Sequence, residues 1–195
     1  MKKITIGAVI IFLFAVLLQA SLWPQKDERL FREAKILIFD EEWDEALDKL
    51  EELLKDYSDS SFYATSLFYK ATCLKEIGGN ESEAIQAYKK YLLINGENES
   101  LSEEAETSII DLALLLFNKG RTVYLREVED RLLSESNVIR YYAAVELSYI
   151  ADKNIAVRAV PILQRILQEE KDVRLRDRAK IALLRIDPEI LKDLE

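Results

Sequence analysis

The side chains that most often perform catalysis or bind metals are scarce in this chain. Cys73 is the only cysteine, and histidine is absent. Without histidine, the common zinc sites and the cysteine–histidine nucleophilic pair cannot form, and one cysteine cannot make an intramolecular disulfide. Cys73 precedes a core-type leucine in "FYKATCLKEI". This position favours a small buried side chain over a reactive thiol.

Carboxylates are abundant, but their sequence context is not that of a catalytic site. No pair of Asp or Glu residues lies in a glycine-framed segment or at the end of a strand-like run. The densest acidic run, "DEEWDEALDKLEE", mixes acids and bases at spacings that are typical of a solvent-exposed helix face. We therefore predict no catalytic, metal-binding or cofactor-binding residue, and a protein that is not an enzyme.

The charge balance narrows the choice of partners. The chain has 27 Lys and Arg against 36 Asp and Glu, a net charge of −9. Such a surface repels nucleic-acid phosphates and anionic lipid alike, so we expect neither partner for the body of the protein. A local basic stripe interrupts the acidic surface: Lys171, Arg174, Arg176, Arg178 and Lys180. It could contact an acidic partner or a headgroup, or pair with acids of neighbouring helical units, which is the interpretation that we favour.

The N-terminus carries an export pattern. Lys2 and Lys3 precede an uncharged, largely apolar run from Ile4 to Pro24. Residues 1–24 are either a signal peptide, with Ala20 as a possible last residue before cleavage, or an uncleaved inner-membrane anchor formed by residues 4–23. No cysteine follows the run, so a lipid-anchored form is not expected. In both cases the rest of the chain is predicted to be extracytoplasmic, either periplasmic or secreted.

The body of the chain predicts helices. The whole chain contains only 5 Gly and 3 Pro, and apolar residues recur at helical spacing in the body. Three segments share one pattern when Ala34, Ala71 and Ala113 are aligned: a large apolar residue four positions earlier, another three positions later, and a turn seven positions later. The turns fall at Glu41, Gly78 and Gly120. A pattern written three times indicates a repeat.

A second helix follows each of these turns. "EALDKLEELLK" places Ala46, Leu50 and Leu53 on one side, and "EAIQAYKKYLL" places Ala84, Tyr88 and Tyr91 at the same spacing. A small residue near the start lets the helices of a hairpin approach closely, and the large residues fill the gap to the next hairpin. The third copy, "RTVYLREVEDRLL", has Leu125 in place of the small residue and is degenerate.

This pattern resembles the tetratricopeptide repeat. The copies are offset by 37 and then 42 residues, against about 34 in the family, so the loops between them are lengthened. The first two copies are similar to the periplasmic repeats of cell-envelope machinery, of the type found in the outer-membrane assembly lipoprotein and the Tol–Pal coordinator. The resemblance implies an α-solenoid, that is, an all-α fold of stacked antiparallel helix hairpins.

The last third of the chain changes period. "VIRYYAAVELSYIAD" and "LRDRAKIALLRIDPE" align at an offset of 36, with Ala143 on Ala179 and Leu147 on Leu183. Between them lies "AVPILQRIL", with Pro161 early in a helix, where its missing N–H does little harm. This arrangement resembles a HEAT repeat. We therefore predict tetratricopeptide-like repeats over residues 25–120, and HEAT-like repeats with a C-terminal cap over residues 121–195.

The tetratricopeptide resemblance also implies a binding groove along the first helix of each hairpin. The groove positions lie three before, one after and four after the aligned alanine: Phe31, Lys35, Ile38, Phe68, Thr72, Lys75, Ile110, Leu114 and Phe117. An apolar groove with a few polar groups suits a peptide with hydrophobic anchors. The alternative is that these residues pack against the N-terminal segment or the next hairpin. Phe31 and Phe68 replace the lysine of the carboxylate-gripping form, which disfavours that mode.

The predicted function is that of an exported, non-catalytic adaptor, a monomer or weak oligomer, that binds a protein or peptide of the cell envelope. Membrane contact is expected only through an uncleaved N-terminal segment. The alternative is a self-assembling structural subunit, in which a bare solenoid end stacks on its copy.

Overall fold

The structure is a computed structural model that describes residues 25–95 and 98–190. The segment predicted to be a signal peptide or membrane anchor, residues 1–24, lies outside the described residues, as does most of the predicted C-terminal cap. Among the described helices, none combines the length and hydrophobicity that a bilayer-spanning segment requires.

The described residues form helices throughout, with no strand among them. The α-helices are α1 (Lys26–Phe39), α2 (Trp43–Asp56), α3 (Tyr63–Ile77), α4 (Glu81–Asn95), α5 (Glu99–Asn118), α6 (Leu125–Arg131), α7 (Asn137–Leu147), α8 (Lys153–Ala156), α9 (Val160–Glu169) and α10 (Val173–Ile186). Short 3₁₀ helices at Thr122–Tyr124 and Val157–Ala159 precede α6 and α9. The all-α prediction is confirmed, and the packing of consecutive helices is that of an α-solenoid of the tetratricopeptide type.

The chain divides into two compact units, of which the first ends at Ser66 and the second begins at Leu67. In the first unit, α1 packs against α2. Leu30 and Ala34 on α1, together with Ala46, Leu50 and Leu53 on α2, are all at most 2% exposed. These are five of the six residues that the repeat pattern assigned to the core of the first copy, and their burial confirms the pattern there; the sixth, Leu37, is half-buried.

In the second unit, the predicted core residues of α3 and α4 are also buried. Ala71, Ala84, Tyr88 and Tyr91 are 0% exposed, as is Ala113 on α5. Helix α5 packs against α4, α6 and α7, and α9 packs against α7 and α10. The third aligned alanine therefore lies in the same kind of environment as the second.

The predicted turns share a backbone conformation that only some residues adopt without strain. Glu41, Gly78 and Gly120 all have positive φ angles, of 61°, 79° and 87°. After α1, the N–H of Glu42 donates to the Leu37 carbonyl at 2.9 Å, and after α5 the N–H of Arg121 donates to the Leu116 carbonyl at 2.9 Å. These bonds close the last helical turn in the same way at equivalent repeat positions.

Helices of the last third begin with side-chain caps. Ser136 and Asp172 accept hydrogen bonds from the backbone N–H groups of Ile139 and Arg174, at the starts of α7 and α10. Pro161 lies in the first turn of α9, as predicted. The helix predicted between the aligned segments is present, but α8 and a 3₁₀ turn, which the sequence pattern did not predict, precede it.

Candidate functional site

Three of the nine predicted groove residues are buried. Phe68, Ile110 and Leu114, all in the second unit, are 1%, 0% and 8% exposed. The Phe68 ring packs edge-on against Tyr88 and Tyr91, with centroid distances of 5.6 and 5.4 Å. For these three side chains the packing alternative accounts for the pattern, because a partner cannot reach them while the unit is folded.

The other six predicted groove residues are at least partly accessible. In the first unit, Phe31 is stacked on Phe62 at 4.8 Å, Lys35 is exposed, and Ile38 is half-buried. In the second unit, Thr72, Lys75 and Phe117 are half-buried. The Thr72 and Tyr88 hydroxyl oxygens lie 3.1 Å apart, and Lys75 donates to the Ser108 hydroxyl at 3.4 Å. Binding of a partner by these six residues stays a prediction.

A different groove, which the sequence analysis did not single out, lies between α7 and α10. It encloses about 490 Å³. Most of its lining is apolar or aromatic: Val138, Tyr141, Tyr142, Val145 and Tyr149 on or just after α7, Ile166 on α9, and Leu175 and Ile181 on α10. Val138, Tyr149 and Ile181 are 53%, 60% and 57% exposed. Apolar side chains are therefore open to solvent along both walls; we call this feature the α7–α10 groove.

The α10 wall of the groove carries positive charge. Arg178 and Arg185 both line it. The Arg185 guanidinium lies 3.8 Å from the centre of the Tyr149 ring and donates to the Ser148 hydroxyl at 3.0 Å. Arg178 makes no hydrogen bond or ion pair with any other described residue. A cation stacked on an aromatic face keeps part of its charge available to a ligand.

The α7 wall carries one carboxylate in an unusual environment. Burial raises the pKa of Glu146, and the nearby Asp111 raises it further, while Arg178 and Arg185 act in the opposite direction. Asp111 on α5 accepts a hydrogen bond from the Tyr142 hydroxyl at 2.7 Å. Burial and this bond to Asp111 raise the pKa of Tyr142, so its phenol remains a donor at neutral pH.

The second carboxylate that lines the groove makes hydrogen bonds within its own turn. Glu170, at the turn before α10, accepts hydrogen bonds from the backbone N–H groups of Lys171 and Asp172 at 2.8 and 3.1 Å. Its oxygen therefore stabilises the turn. Glu146 is left as the groove carboxylate without a hydrogen bond or ion pair among the described residues.

The basic stripe does not pair with acids of neighbouring helices among the described residues. Arg174 lies 3.8 Å from Asp172 in its own first turn. The side chains of Lys171, Arg176, Arg178 and Lys180 are exposed and make no ion pair within the described part of the chain. Our favoured interpretation, pairing with acids of neighbouring units, is thus wrong for Lys171, Arg176 and Lys180, whereas Arg178 interacts with Glu146 of α7 without an ion-pair contact.

The sequence did contain a signal for the α7–α10 groove. At the offset of 36 residues used to align the last third, Val138, Tyr142, Val145 and Tyr149 correspond to Arg174, Arg178, Ile181 and Arg185. Apart from Arg174, each of these residues lines the groove. That alignment identifies the core through Ala143, Leu147 and their counterparts, and the groove residues lie on another side of the same helices.

The residues that could have carried chemistry do not form a reactive site. Cys73 is fully buried, and this burial raises the pKa of its thiol to about 12, so the thiol stays protonated. The expectation of a buried cysteine is confirmed. Within the described ranges, no group of three or more Cys, Asp or Glu side chains is arranged to hold a metal ion.

Comparison with known families agrees with the geometry of the first hairpins. Residues 30–60 and 65–93 match the family model of the tetratricopeptide repeat. These two segments are tetratricopeptide repeats. Such repeats are generally non-catalytic scaffolds for protein–protein interaction. No curated protein and no solved structure matches the chain. The two matched segments are the first and second copies of the sequence pattern, and the third copy lies beyond them.

Proposed function

We propose that this protein is an exported, non-catalytic adaptor that binds a protein or peptide of the cell envelope through its repeat surface. The observation that carries the proposal is the pair of tetratricopeptide repeats at residues 30–60 and 65–93. Export is supported by Lys2 and Lys3 followed by the apolar run that ends at Pro24. The proposal includes cleavage of that segment or its retention as an inner-membrane anchor.

We further propose that residues 121–195 are HEAT-like repeats that extend the binding surface. Residues at the offset of 36 have matching burial, since Ala143 and Ala179 are both fully buried, as are Leu147 and Leu183. Helix α9 lies between the two aligned helices in sequence and packs against both. A unit that repeats its core in this way presents equivalent outer faces on α7 and α10.

The binding surface that we propose is the α7–α10 groove together with the accessible residues of the tetratricopeptide groove. Exposed apolar side chains on both walls give a peptide somewhere to bury hydrophobic anchors. A cavity of about 490 Å³ is within the range of about 300–1,000 Å³ that is usual for binding sites. The accessible residues of the tetratricopeptide groove are Phe31, Lys35, Ile38, Thr72, Lys75 and Phe117.

Site-specific photo-crosslinking in intact cells would test this function. A photoreactive amino acid at Val145 or Ile181 should form a discrete adduct with an envelope protein, whereas the same amino acid at the exposed Gln168 on α9 should not. Adducts only with cytoplasmic proteins would refute export. Equal labelling from all three positions would refute a role for the groove.

A reporter fusion tests the cellular location of the protein independently of partner binding. Alkaline phosphatase joined after Glu195 is active only when it is exported, and replacement of Lys2 and Lys3 with Glu should reduce that activity because the positive residues orient the apolar run. An inactive fusion that is nevertheless present at full length would overturn the extracytoplasmic assignment.

A further inference from the structure

We propose that the α7–α10 groove binds an acidic, apolar peptide segment of the partner, with apolar side chains in the groove and carboxylates on the arginines of α10. This inference rests on the proposed function and specifies the chemistry of the ligand. It follows from three features of the second unit: a row of cations on one helix face, the scarcity of ion pairs in that row, and the apolar surface beside it.

The cations lie in a row beside an apolar residue. Arg174, Arg178, Ile181 and Arg185 are spaced i, i+4, i+7 and i+11, which places them on the same side of α10. At a rise of about 1.5 Å per residue, the row extends for roughly 16 Å along the helix. That length matches about five residues of an extended peptide at about 3.3 Å each.

The cations of this row make no ion pair among the described residues, apart from the contact between Arg174 and Asp172 at 3.8 Å; Glu146 across the groove acts on Arg178 and Arg185 only from beyond ion-pair distance. Helix α10 contains Arg174, Arg176, Arg178, Lys180 and Arg185 but only one acid, Asp177, although the whole chain has a net charge of −9. Elsewhere in the second unit, cations do find carboxylates, such as Lys119 with Glu81 at 2.6 Å and Lys89 with Glu127 at 2.7 Å. The free cations on α10 therefore complement a partner that supplies the carboxylates.

The apolar surface beside the row explains why the ligand is not simply acidic. Val145 on α7 and Ile181 on α10 both line the groove, and Tyr141 and Ile166 are nearly buried beneath it. Burying apolar side chains of a peptide there removes exposed hydrocarbon from water. The aliphatic and aromatic surface supplies affinity, and the arginines select for carboxylates.

The negative side of the groove gives the peptide an orientation. Glu146 lies on the α7 wall, opposite the arginines, and Asp111 lies behind it, bonded to Tyr142. Carboxylates of a ligand are therefore repelled from α7 and attracted to α10. A peptide with acids along the edge next to α10 and apolar residues facing the groove is complementary to both walls.

Selection from a random peptide library displayed on phage, with the purified full chain as bait, tests this chemistry. We expect the selected peptides to be enriched in Asp or Glu next to Leu, Ile, Val or Phe. The selected peptide, synthesised with its acids changed to Gln or Asn, should bind at least about tenfold more weakly, as expected for the loss of a charge-assisted hydrogen bond. Its affinity should also fall as salt is added.

Matched variants locate the binding site. Arg174→Glu with Arg178→Glu reverses two charges on the groove side of α10, and Arg176→Glu with Lys180→Glu reverses two charges elsewhere on the same helix. All four side chains are exposed, so both double variants should keep the helical content of the parent chain. We expect the first to weaken binding of the selected peptide at least about tenfold, and the second by much less, through long-range charge only. Ile181→Ser should also weaken binding, with Leu184→Ser as its control.

Each alternative outcome has a separate meaning. Selected peptides that lack acids but still compete for the groove would overturn the inference and leave the proposed function standing. A selection that enriches no peptide would count against both. Equal loss of binding in the two double variants would contradict the placement of the peptide-binding site on this face of α10. Binding of vesicles that contain phosphatidylglycerol, reduced by the groove-side variant, with no acidic peptide selected, would replace the peptide by a lipid surface.

Discussion

The ammonium group of Lys89 lies 2.7 Å from the carboxylate of Glu127. Lys89 belongs to the second tetratricopeptide repeat, whereas Glu127 is on α6, beyond the matched residues. A second contact, from the Ser82 hydroxyl to the Tyr124 hydroxyl at 2.6 Å, joins the same two regions. The hairpin of α5 and α6 is therefore attached to α4 by specific polar contacts as well as by apolar packing, as expected for a third repeat whose sequence has diverged.

Arg131 extends this set of contacts and should be important for stability. Its guanidinium pairs with Glu106 on α5 at 2.6 Å and with Glu127 at 3.2 Å, and its side chain is only 11% exposed. Arg131→Met would leave Glu106 without its cation in a partly buried environment, and would leave Glu127 with Lys89 alone. We expect a loss of about 2–4 kcal/mol in the free energy of unfolding, measured by urea denaturation with helical circular dichroism.

Arg126 provides the control for this change on the same helix. It pairs with Asp130 at 3.7 Å, and its side chain is 83% exposed. Arg126→Met should change the free energy of unfolding by less than about 0.5 kcal/mol, because exposed ion pairs contribute little. If the two variants were equally stable, the contacts of Arg131 would not hold α6 to α5 in the way that the geometry indicates.

Phe68 gives a second prediction, at a position where the sequence left both a groove residue and a packing residue open. As a groove residue it would tolerate substitution, but its ring is 1% exposed and packs on Tyr88 and Tyr91. Phe68→Ala should lower the free energy of unfolding by about 3–5 kcal/mol. Phe39→Ala, at a side chain that is 86% exposed, should change it by less than about 0.5 kcal/mol. A stable, peptide-binding-deficient Phe68→Ala protein would restore the groove interpretation.

The repeat core was predictable because its signal is local. Ala34, Ala71 and Ala113, with their large neighbours one turn away, lie in single helices, so the helical period exposes the pattern directly. The side of a helix that faces a groove depends instead on the rotation of each hairpin relative to the next. Family geometry placed Phe68, Ile110 and Leu114 in the groove, whereas their side chains are buried in this chain.

The turn residues allow a test of backbone strain alone. Gly120 has a φ of 87°, and no atom lies within 4 Å of the place where a Cβ would be, so Gly120→Ala adds strain without a clash. We expect a loss of about 1 kcal/mol in the free energy of unfolding. Glu41 has a φ of 61° at the equivalent position of the first repeat, and Glu41→Gly should therefore be neutral or stabilising by up to about 1 kcal/mol.

Asn118→Ala, at the exposed last residue of α5, is the control for Gly120→Ala and should have a smaller effect. Changes of the same sign at Gly120 and Glu41 would show that side-chain contacts, and not the left-handed backbone, dominate these turns.

The α7–α10 groove illustrates why the site was harder to predict than the fold. Glu146 and Arg178 line the same groove only because α7 and α10 lie side by side. The aligned residues of these two helices are 36 positions apart in sequence. Charge patterning within one helix, as in the basic stripe, is visible from sequence. Whether those charges form an ion pair is decided by packing, and among the described residues Arg178 forms none, although Glu146 lines the same groove.

Glu146 should make stability depend on pH in the unusual direction for a carboxyl group. Burial and Asp111 raise its pKa in the folded protein, whereas the unfolded chain has the ordinary value of about 4.3. At pH values between these two pKa values, the Glu146 carboxyl holds a proton in the folded state that it has released in the unfolded state. The contribution of Glu146 to stability is therefore lost as the pH rises through this window, and its charged form remains destabilising at neutral pH.

Glu146→Gln should raise the melting temperature at neutral pH. The gain should shrink as the pH falls below about 4, because the wild-type carboxyl is then protonated in both states. Glu135→Gln, in the exposed turn before α7, is the matched control for the removal of one carboxylate. A Glu146→Gln protein that is less stable than the parent at neutral pH would mean that attraction to Arg178 and Arg185 outweighs the burial of the carboxylate.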